Sequence, residues 1–365
     1  MKKSLLFNVL LVVLLAVFPK AAQAQTAILG NDNFLAATQI HHKYTAWNAV
    51  QDHLISGSNR IEQKYGYYGQ SPCDSVITCY HKCKPRDRGA WANYIGRDSH
   101  YQSSYSNNDW HLLTDGVQVG TDIFRRHRSQ IGVFFGYEDS SGTNNTDTGN
   151  KDILKAKDYY VGLYGVHLLR DGADLRTIFN FGWQNHNSQR NEPNNLFQTA
   201  FNGHTVELNV ELGKRYYFGE CCGGTWSARP AVAIDWYFNR LGNGQETSVS
   251  TDALWYQGTD FSQLFFRFGT DLRYERGRWA LEGGLFYSYD LRGADIWTRV
   301  SDTNGNYNIL AGSDLGRSVL SFNIGGSYLV GRNFTLFGGY RGEVTPEQAG
   351  KGYTHIGHVG GAWRW

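Results

Sequence analysis

The most constraining feature of this sequence is an alternation of apolar with polar or small side chains that continues over unusually long stretches. Successive side chains of a β-strand point to opposite faces, so each stretch predicts a strand between two different environments. Strands of soluble sheets are mostly five or six residues long. Runs such as His204 to Phe218 and Gln263 to Glu275 are longer, as a tilted strand must be to cross a bilayer. The pattern predicts a transmembrane β-barrel.

Between Asp87 and Trp365 we predict about twelve such strands, near 87–97, 111–125, 129–139, 154–169, 173–185, 204–218, 225–239, 261–275, 278–291, 316–330, 333–343 and 353–365. The links alternate in length: short turns at 126–128, 170–172, 219–224, 276–277 and 331–332, and long links at 98–110, 140–153, 186–203, 240–260, 292–315 and 344–352. Outer-membrane barrels have short periplasmic turns and long outer loops. The fold class expected is therefore all-β, an antiparallel barrel with both ends of the barrel on the periplasmic side.

The first 24 residues have the organisation of a secretory signal peptide. A basic start at Met1-Lys2-Lys3 precedes an apolar run from Leu5 to Pro19 and the cleavage motif Ala22-Gln23-Ala24. We expect cleavage near Ala24, export from the cytoplasm and a mature chain beginning near Gln25. The apolar run is too short for an ordinary transmembrane helix.

The segment between the signal peptide and the barrel divides into two parts. Residues 25–43 form a short passenger-like segment, and residues 44–86 contain a helix candidate followed by a cysteine-containing linker. Within Tyr44 to Lys64, the apolar residues recur at helical spacing, namely Trp47, Val50, Leu54, Ile55 and Ile61. A soluble amphipathic helix in the periplasm is the alternative to a helix associated with the barrel.

The strands also carry charged residues on the face opposite the apolar one. We expect these side chains to line a wet lumen, because the outside of the barrel meets lipid. Opposite charges on neighbouring strands can pair across the sheet and hold a helix. The candidate lumen-lining residues are Asp122, Arg176, Glu207, Glu211, Arg215, Asp235, Arg267, Asp271, Arg273, Glu282, Arg341 and Glu343.

Five cysteines are an odd number for an exported chain, so at least one is free or pairs with another molecule. Cys73, Cys79 and Cys83 precede the first strand, and Cys221-Cys222 lie in a predicted periplasmic turn. A disulfide among the first three, or one to the Cys221 turn, would tether the preceding helix at the barrel mouth. Zinc bound by Cys73, Cys79, His81 and Cys83 is the alternative, although this spacing matches no standard zinc finger. We predict disulfides and no metal.

The C-terminal stretch from Tyr353 to Trp365 ends on an aromatic residue. Gly357, Val359, Gly361, Trp363 and Trp365 lie on one face of this predicted strand. The pattern resembles the assembly signal of bacterial outer-membrane barrels, with Val359, Trp363 and Trp365 as its main residues.

Several strands carry motifs similar to the translocator domain of classical autotransporters, the type V secretion proteins. They are Arg88-Gly89-Ala90-Trp91-Ala92-Asn93-Tyr94-Ile95-Gly96, Gly116-Val117-Gln118-Val119-Gly120-Thr121-Asp122, Ile131-Gly132-Val133-Phe134-Phe135-Gly136-Tyr137, Tyr160-Val161-Gly162-Leu163-Tyr164-Gly165 and Phe334-Thr335-Leu336-Phe337-Gly338-Gly339-Tyr340. The resemblance implies a monomeric twelve-stranded outer-membrane barrel with a helix threaded through its lumen and an exported N-terminal passenger. Its partners would be outer-membrane lipid, the barrel assembly machinery and periplasmic chaperones. Residues 25–43 are far shorter than the passenger that most such proteins carry.

The resemblance also implies a sharper hypothesis, that Asp122, Glu207 and Glu211 position a backbone for self-cleavage. No asparagine pair lies within the predicted helix to serve it, so we assign no catalytic site and no cofactor. A plugged pore or surface-display barrel is the first alternative. The second is a hydrolase barrel, with His186-Asn187-Ser188 in a predicted loop. The net charge of +2 with interspersed signs gives no reason to expect nucleic-acid binding.

Overall fold

The computed structural model describes residues 89–365 apart from short gaps at 103–108, 127–128, 146–150, 170–171, 193–194, 222–223, 249–252, 293–296, 303–305, 312–316, 331–332 and 347–351. The strands are β1 (Gly89–Gln102), β2 (Asp109–Arg126), β3 (Ser129–Asn145), β4 (Lys151–Leu168), β5 (Ala173–Glu192), β6 (Asn195–Lys214), β7 (Tyr216–Cys221), β8 (Gly224–Leu241), β9 (Gly244–Thr247), β10 (Trp255–Tyr256), β11 (Thr259–Arg276), β12 (Trp279–Asp290), β13 (Trp297–Ser301), β14 (Tyr307–Ala311), β15 (Ser318–Val330), β16 (Phe334–Val344) and β17 (Tyr353–Arg364).

The sheet closes on itself because its first and last strands pair. β1 lies antiparallel to β2 on one side and to β17 on the other, with Gly89 opposite Arg364. Within the described part of the chain, twelve long strands form the wall: β1 to β6, β8, β11, β12 and β15 to β17. β7 continues the path of β6 past Arg215 and pairs with β8. The predicted all-β, twelve-stranded antiparallel barrel is confirmed.

Across residues 89–365, gaps excepted, no helix is long and apolar enough to cross a membrane. The helix predicted for Tyr44 to Lys64, the signal peptide and the segment 25–43 lie outside the described residues.

The outward face of the barrel is apolar and bounded by aromatic residues at both ends. Many of the large hydrophobic side chains on this face are exposed, among them Leu163, Leu285 and Ile324. Near the short turns, aromatic rings pair across strands: Trp226 with Tyr274, Trp279 with Tyr328, and Phe334 with Trp363, at centroid distances of 4.9, 4.5 and 6.2 Å. Towards the other end, Tyr137, Tyr159, Trp183 and His204 lie opposite one another in a single row. An apolar band between two aromatic belts is typical of membrane barrels.

Parts of the predicted long links form strands in the structure. Residues 186–203 were expected to form a loop, but β5 and β6 pair without interruption as far as Glu192 and Asn195. This prediction was wrong because outward positions such as Asn185, Asn187 and Gln189 lie beyond the aromatic row. Strands outside the lipid need no apolar face, so the alternation that reveals a strand disappears there. The Cys221 turn is shorter than expected, since β7 reaches Cys221 itself.

Two further long links contain short strands that were not predicted. β9 pairs with β6 and with β10, β10 pairs with β13, and β13 pairs with β14. These four strands form a small outer sheet attached to the extended β5–β6 hairpin. On its barrel-side face Tyr256 and Val300 are buried, whereas Trp255 and Tyr307 on the opposite face are exposed.

Candidate functional site: the barrel lumen

The inner face of the barrel collects the polar residues that alternate with the apolar outward ones. The charged residues singled out from the sequence all occupy inward positions, as follows from the alternation of burial along each strand. Nine are buried: Asp122, Arg176, Glu207, Glu211, Arg215, Arg267, Arg273, Arg341 and Glu343. The side chains of Asp235, Asp271 and Glu282 are 21%, 15% and 17% exposed.

The largest group is an ion network across β5, β6, β8 and β11. Arg229 donates from Nε and Nη2 to both oxygens of Asp174, at 2.9 and 2.5 Å, and from Nη1 to Glu211 Oε1 at 2.6 Å. Arg267 then donates to Glu211 Oε2 and to Asp235 Oδ2, both at 3.0 Å. Glu211 therefore lies between two guanidinium groups, and the four strands are joined through their side chains as well as their backbones.

Two further residues complete this network. Arg176 Nε donates to Asp174 Oδ1 at 2.8 Å and lies 3.8 Å from Glu211. Asp271 lies 3.6 Å from Arg229. Buried charges need opposite partners and hydrogen bonds to offset the loss of water, and this arrangement supplies both. Asp174 and Arg229, which are central to it, were not singled out from the sequence.

A second polar group spans β1 to β4. Asp122 accepts hydrogen bonds from Gln130 and from Tyr164 Oη, at 2.7 and 2.8 Å. Trp91 Nε1 donates to Tyr164 Oη at 3.2 Å, which connects β1 to the same group. Asp122 and Glu211 thus belong to separate networks on different strands. Among the described residues, two of the three carboxylates proposed for self-cleavage therefore make hydrogen bonds in different parts of the wall.

The remaining inward charges form smaller contacts. Arg215 donates to Ser227 Oγ at 3.0 Å. Arg273 donates to Glu275 and, at 3.5 Å, to Glu282. Arg341 Nε lies 2.7 Å from Glu343 Oε1, and its Nη2 donates to Ser321 at 3.2 Å. Arg273 and Arg341 therefore each lie beside a carboxylate, so the inner wall carries charges of both signs rather than a field of one sign.

A third charged cluster, which the sequence did not predict, lies at the loop end of the barrel. Arg190 donates from Nε and Nη2 to both oxygens of Glu246, at 2.9 and 2.7 Å. Tyr256 Oη and the backbone amide of Leu254 donate to the same carboxylate, at 2.7 and 2.9 Å. Glu246 thereby fixes the β8–β11 link to the β5–β6 hairpin. We call these residues the Glu246 clamp.

The triplet His186-Asn187-Ser188 lies in β5 rather than in a loop. His186 and Ser188 are buried on the inner face, and Asn187 is exposed on the outer face. His186 stacks on Phe201 with ring centroids 4.7 Å apart. The three side chains therefore do not converge as a hydrolase site requires.

The terminal and cysteine candidates occupy the short-turn end. Val359, Trp363 and Trp365 are exposed on the outward side, with Trp363 beside Phe334. Cys221 ends β7 opposite Gly224. Cys73, Cys79, Cys83 and Cys222 lie outside the described residues, as does the alternative zinc ligand His81. Among the residues that the structure describes, no group of three or more His, Cys, Asp or Glu side chains could hold a metal ion.

A closed twelve-stranded barrel with an apolar band outside and a charged lumen defines the class of outer-membrane β-barrels. The family model of the autotransporter beta-domain matches residues 90–341, so the chain belongs to the autotransporter beta-domain family. This is a transport domain, a translocator barrel of the outer membrane.

Solved structures with the same fold agree with this assignment. The translocator domain of the autotransporter NalP from Neisseria meningitidis has a TM-score of 0.61 at 13% identity, with 88% of this chain and 98% of that chain covered. The transport unit of the autotransporter AIDA-I from Escherichia coli has a TM-score of 0.64 at 13% identity, covering 85% and 98%. No curated protein sequence matches the chain.

Proposed function

We propose that this barrel carries the segment before it, residues 25–43, through its lumen to the cell surface. The observation that supports the proposal is the position of Gly89. It begins β1 opposite Arg364, at the end of the barrel where the short turns connect the strands. A preceding segment that is to reach the opposite side of the membrane must therefore pass either through the lumen or through the lipid outside the barrel. The lumen is the route that is lined by polar side chains.

The orientation is part of the same proposal. The short turns face the periplasm and the extended β5–β6 hairpin with the outer sheet faces the medium, as in other outer-membrane barrels. The signal peptide of residues 1–24 would be removed on export, and the mature domain would insert as a monomer. Residues 44–86 would then span the lumen or lie below it, with their helix beside the inward charges.

Epitope accessibility on intact cells tests both statements. A tag inserted after Gln25 should be detected by antibody without permeabilisation. The same tag in the turn at Gly277, where the backbone φ of +56° marks a tight reversal, should be detected only after permeabilisation. A third insertion within residues 249–252 of the long β8–β11 link is the positive control. Export would be contradicted if, on intact cells, the tag at 249–252 is detected and the tag after Gln25 is not. Detection of the Gly277 tag on intact cells would contradict the orientation.

We also propose that the outward residues Val359, Trp363 and Trp365 act as the signal read by the barrel assembly machinery, which receives the chain from periplasmic chaperones. The three side chains are about half exposed, so a partner can contact them before lipid does. Trp365→Ala should lower the amount of heat-modifiable protein in the membrane fraction. Trp255→Ala, which removes an exposed tryptophan from the outer sheet, is the matched control. Equal assembly of both variants would contradict this role.

For the cysteines we propose a tether. β7 ends at Cys221, at the same rim of the barrel where β1 begins. A disulfide within the 44–86 linker, or from that linker to Cys221-Cys222, would limit how far the linker can move away from this end of the barrel. Alkylation of the unreduced protein followed by intact mass measurement tests this. Modification of all five cysteines would contradict any bridge.

A further inference from the structure

A basic patch lies on the outward face of the barrel, directly beyond the aromatic row at the end of the barrel that carries the long links. Lys155 and Lys157 both point outward from β4 and are exposed. The first lies opposite Asn187 and the second opposite Asn185 on β5. We call these four side chains the Lys155 patch.

The strand registers fix the level of this patch relative to the membrane. Tyr159 lies two residues below Lys157 on the same outward face, in the row formed with Tyr137, Trp183 and His204. Below that row the outward residues are apolar, including Val161 and Leu163. Aromatic belts mark the boundary between hydrocarbon and headgroups, so the Lys155 patch lies at headgroup depth.

The charges of the patch remain available to a ligand. Within the described residues, no carboxylate lies within ion-pair distance, 4.0 Å, of either lysine ammonium. Asp139 is exposed as the direct cross-strand neighbour of Lys157 and accepts a hydrogen bond from Tyr137 at 3.2 Å. Lys155 instead lies between the neutral side chains of Ser141 and Asn187. Two ammonium groups beside two amides provide several hydrogen-bond donors on one small area, a chemistry suited to phosphate oxygens.

We propose that the Lys155 patch binds the phosphate groups of a phosphorylated glycolipid in the outer leaflet. The proposal rests on the orientation given above, because only then does this face meet that leaflet. The apolar band holds the acyl chains beside Val161 and Leu163, and the two lysines hold the sugar phosphates immediately above. The lipid is thereby seated at β4 and β5, beside the extended β5–β6 hairpin.

Binding of lipopolysaccharide to the detergent-purified full chain tests the proposal. The probe is fluorescently labelled lipopolysaccharide, before and after removal of its phosphates with alkaline phosphatase, in the presence of a chelator that removes bridging divalent cations. Lys155→Gln/Lys157→Gln should bind the phosphorylated probe about 10- to 30-fold more weakly than the unaltered protein. The dephosphorylated probe should bind both proteins equally weakly.

The matched control is Lys214→Gln/Arg276→Gln, which removes two cations from the opposite rim and should change the affinity less than twofold. Lys155→Arg/Lys157→Arg should retain binding. Heat-modified gel mobility verifies folding, and the single variants replace the double one if it does not fold. Unchanged affinity of folded Gln variants, insensitivity of the unaltered protein to dephosphorylation, or equal competition by phosphatidylglycerol vesicles would each overturn the proposal. The tag at Gly277 tests the orientation separately.

Discussion

At the scale of single residues, the lumen depends most on Arg229. Its guanidinium contacts both oxygens of Asp174 and one oxygen of Glu211, and all three side chains are almost completely buried. Without Arg229, Asp174 would keep Arg176, and Glu211 would keep Arg267 and the more distant Arg176. A buried charge that loses a partner is strongly destabilising, because water does not replace the lost contact.

Arg229→Met should therefore destabilise the barrel by about 3–5 kcal/mol, measured as the free energy of unfolding in guanidinium chloride with the protein in lipid vesicles. Arg240→Met is the matched control. Arg240 lies 3.5 Å from Asp260 in a pair that is more than half exposed, and such pairs contribute about 0–1 kcal/mol. Equal unfolding midpoints for the two variants would show that the network does not stabilise the fold.

Gly132 provides the space for the ring of Tyr164 on the adjacent strand. A Cβ built at this glycine would overlap the tyrosine ring, and the ring cannot move freely because its hydroxyl donates to Asp122. The glycine thus allows the aromatic ring to lie flat along the inner wall and to reach its hydrogen-bond partner.

Gly132→Ala should cost about 1–3 kcal/mol through overpacking. Gly357→Ala, where nothing lies within 4 Å of the added methyl group, should have little effect on the same unfolding measurement. If both alanine variants unfold at the same denaturant concentration, the close packing of Gly132 against Tyr164 does not contribute to stability.

Residue roles were only partly predictable. Asp235, Arg267 and Glu211 could be found because their strands alternate clearly in hydropathy. Asp174 lies two residues after a turn glycine and Arg229 directly before Pro230, so both resemble loop residues in the sequence. Arg229 is separated from Asp235 by an even number of positions on the same strand, so both side chains lie on the same face. This was the signal that could have identified Arg229. The Glu246 clamp had no such signal, because its partners lie far apart in the chain.

At the scale of elements, the extended β5–β6 hairpin acts as a support for the outer sheet. β9 pairs with β6 at Gln198 and Thr199, and the side chains of the Glu246 clamp add direct contacts to β5. The wall strands were predictable because lipid outside and water inside impose opposite polarities. Beyond the aromatic row the outward face no longer meets hydrocarbon and carries polar residues. Neither the hairpin extension nor β9, β10, β13 and β14 could therefore be recognised from hydropathy.

Glu246→Gln keeps the size of the side chain but removes the charge held by Arg190. Charge-assisted hydrogen bonds contribute about 1.5–3 kcal/mol each, so opening of the β8–β11 link should become at least about tenfold more frequent. Chymotrypsin cleavage after Trp255 or Tyr256 in the folded protein measures this opening. Gln245→Ala, an exposed neighbour on the same strand, is the control. Identical cleavage rates for the two variants would contradict the role of the clamp.

At the scale of the whole molecule, the pairing of β1 with β17 closes the barrel, so every wall strand has two neighbours. Each wall side chain then faces either the outside of the barrel or the lumen. The apolar band and its aromatic belts fit the bilayer, while the charged inner face forms the route proposed for the preceding segment. The family assignment and the geometry both support this division between an apolar outer surface and a polar lumen. The central claim is that outward residues contact lipid and inward residues do not.

Spin labels placed one at a time at residues 155, 157 and 159–166 of β4, in a background without the native cysteines, test this claim most directly. With the protein in lipid vesicles, collision with oxygen, which concentrates in hydrocarbon, should be high at positions 161 and 163 and low at 162 and 164. A polar nickel complex should reach labels at 155 and 157 far better than those at 161 and 163. Equal oxygen access at odd and even positions, or free access of the nickel complex to Val161 and Leu163, would contradict a barrel embedded in the membrane.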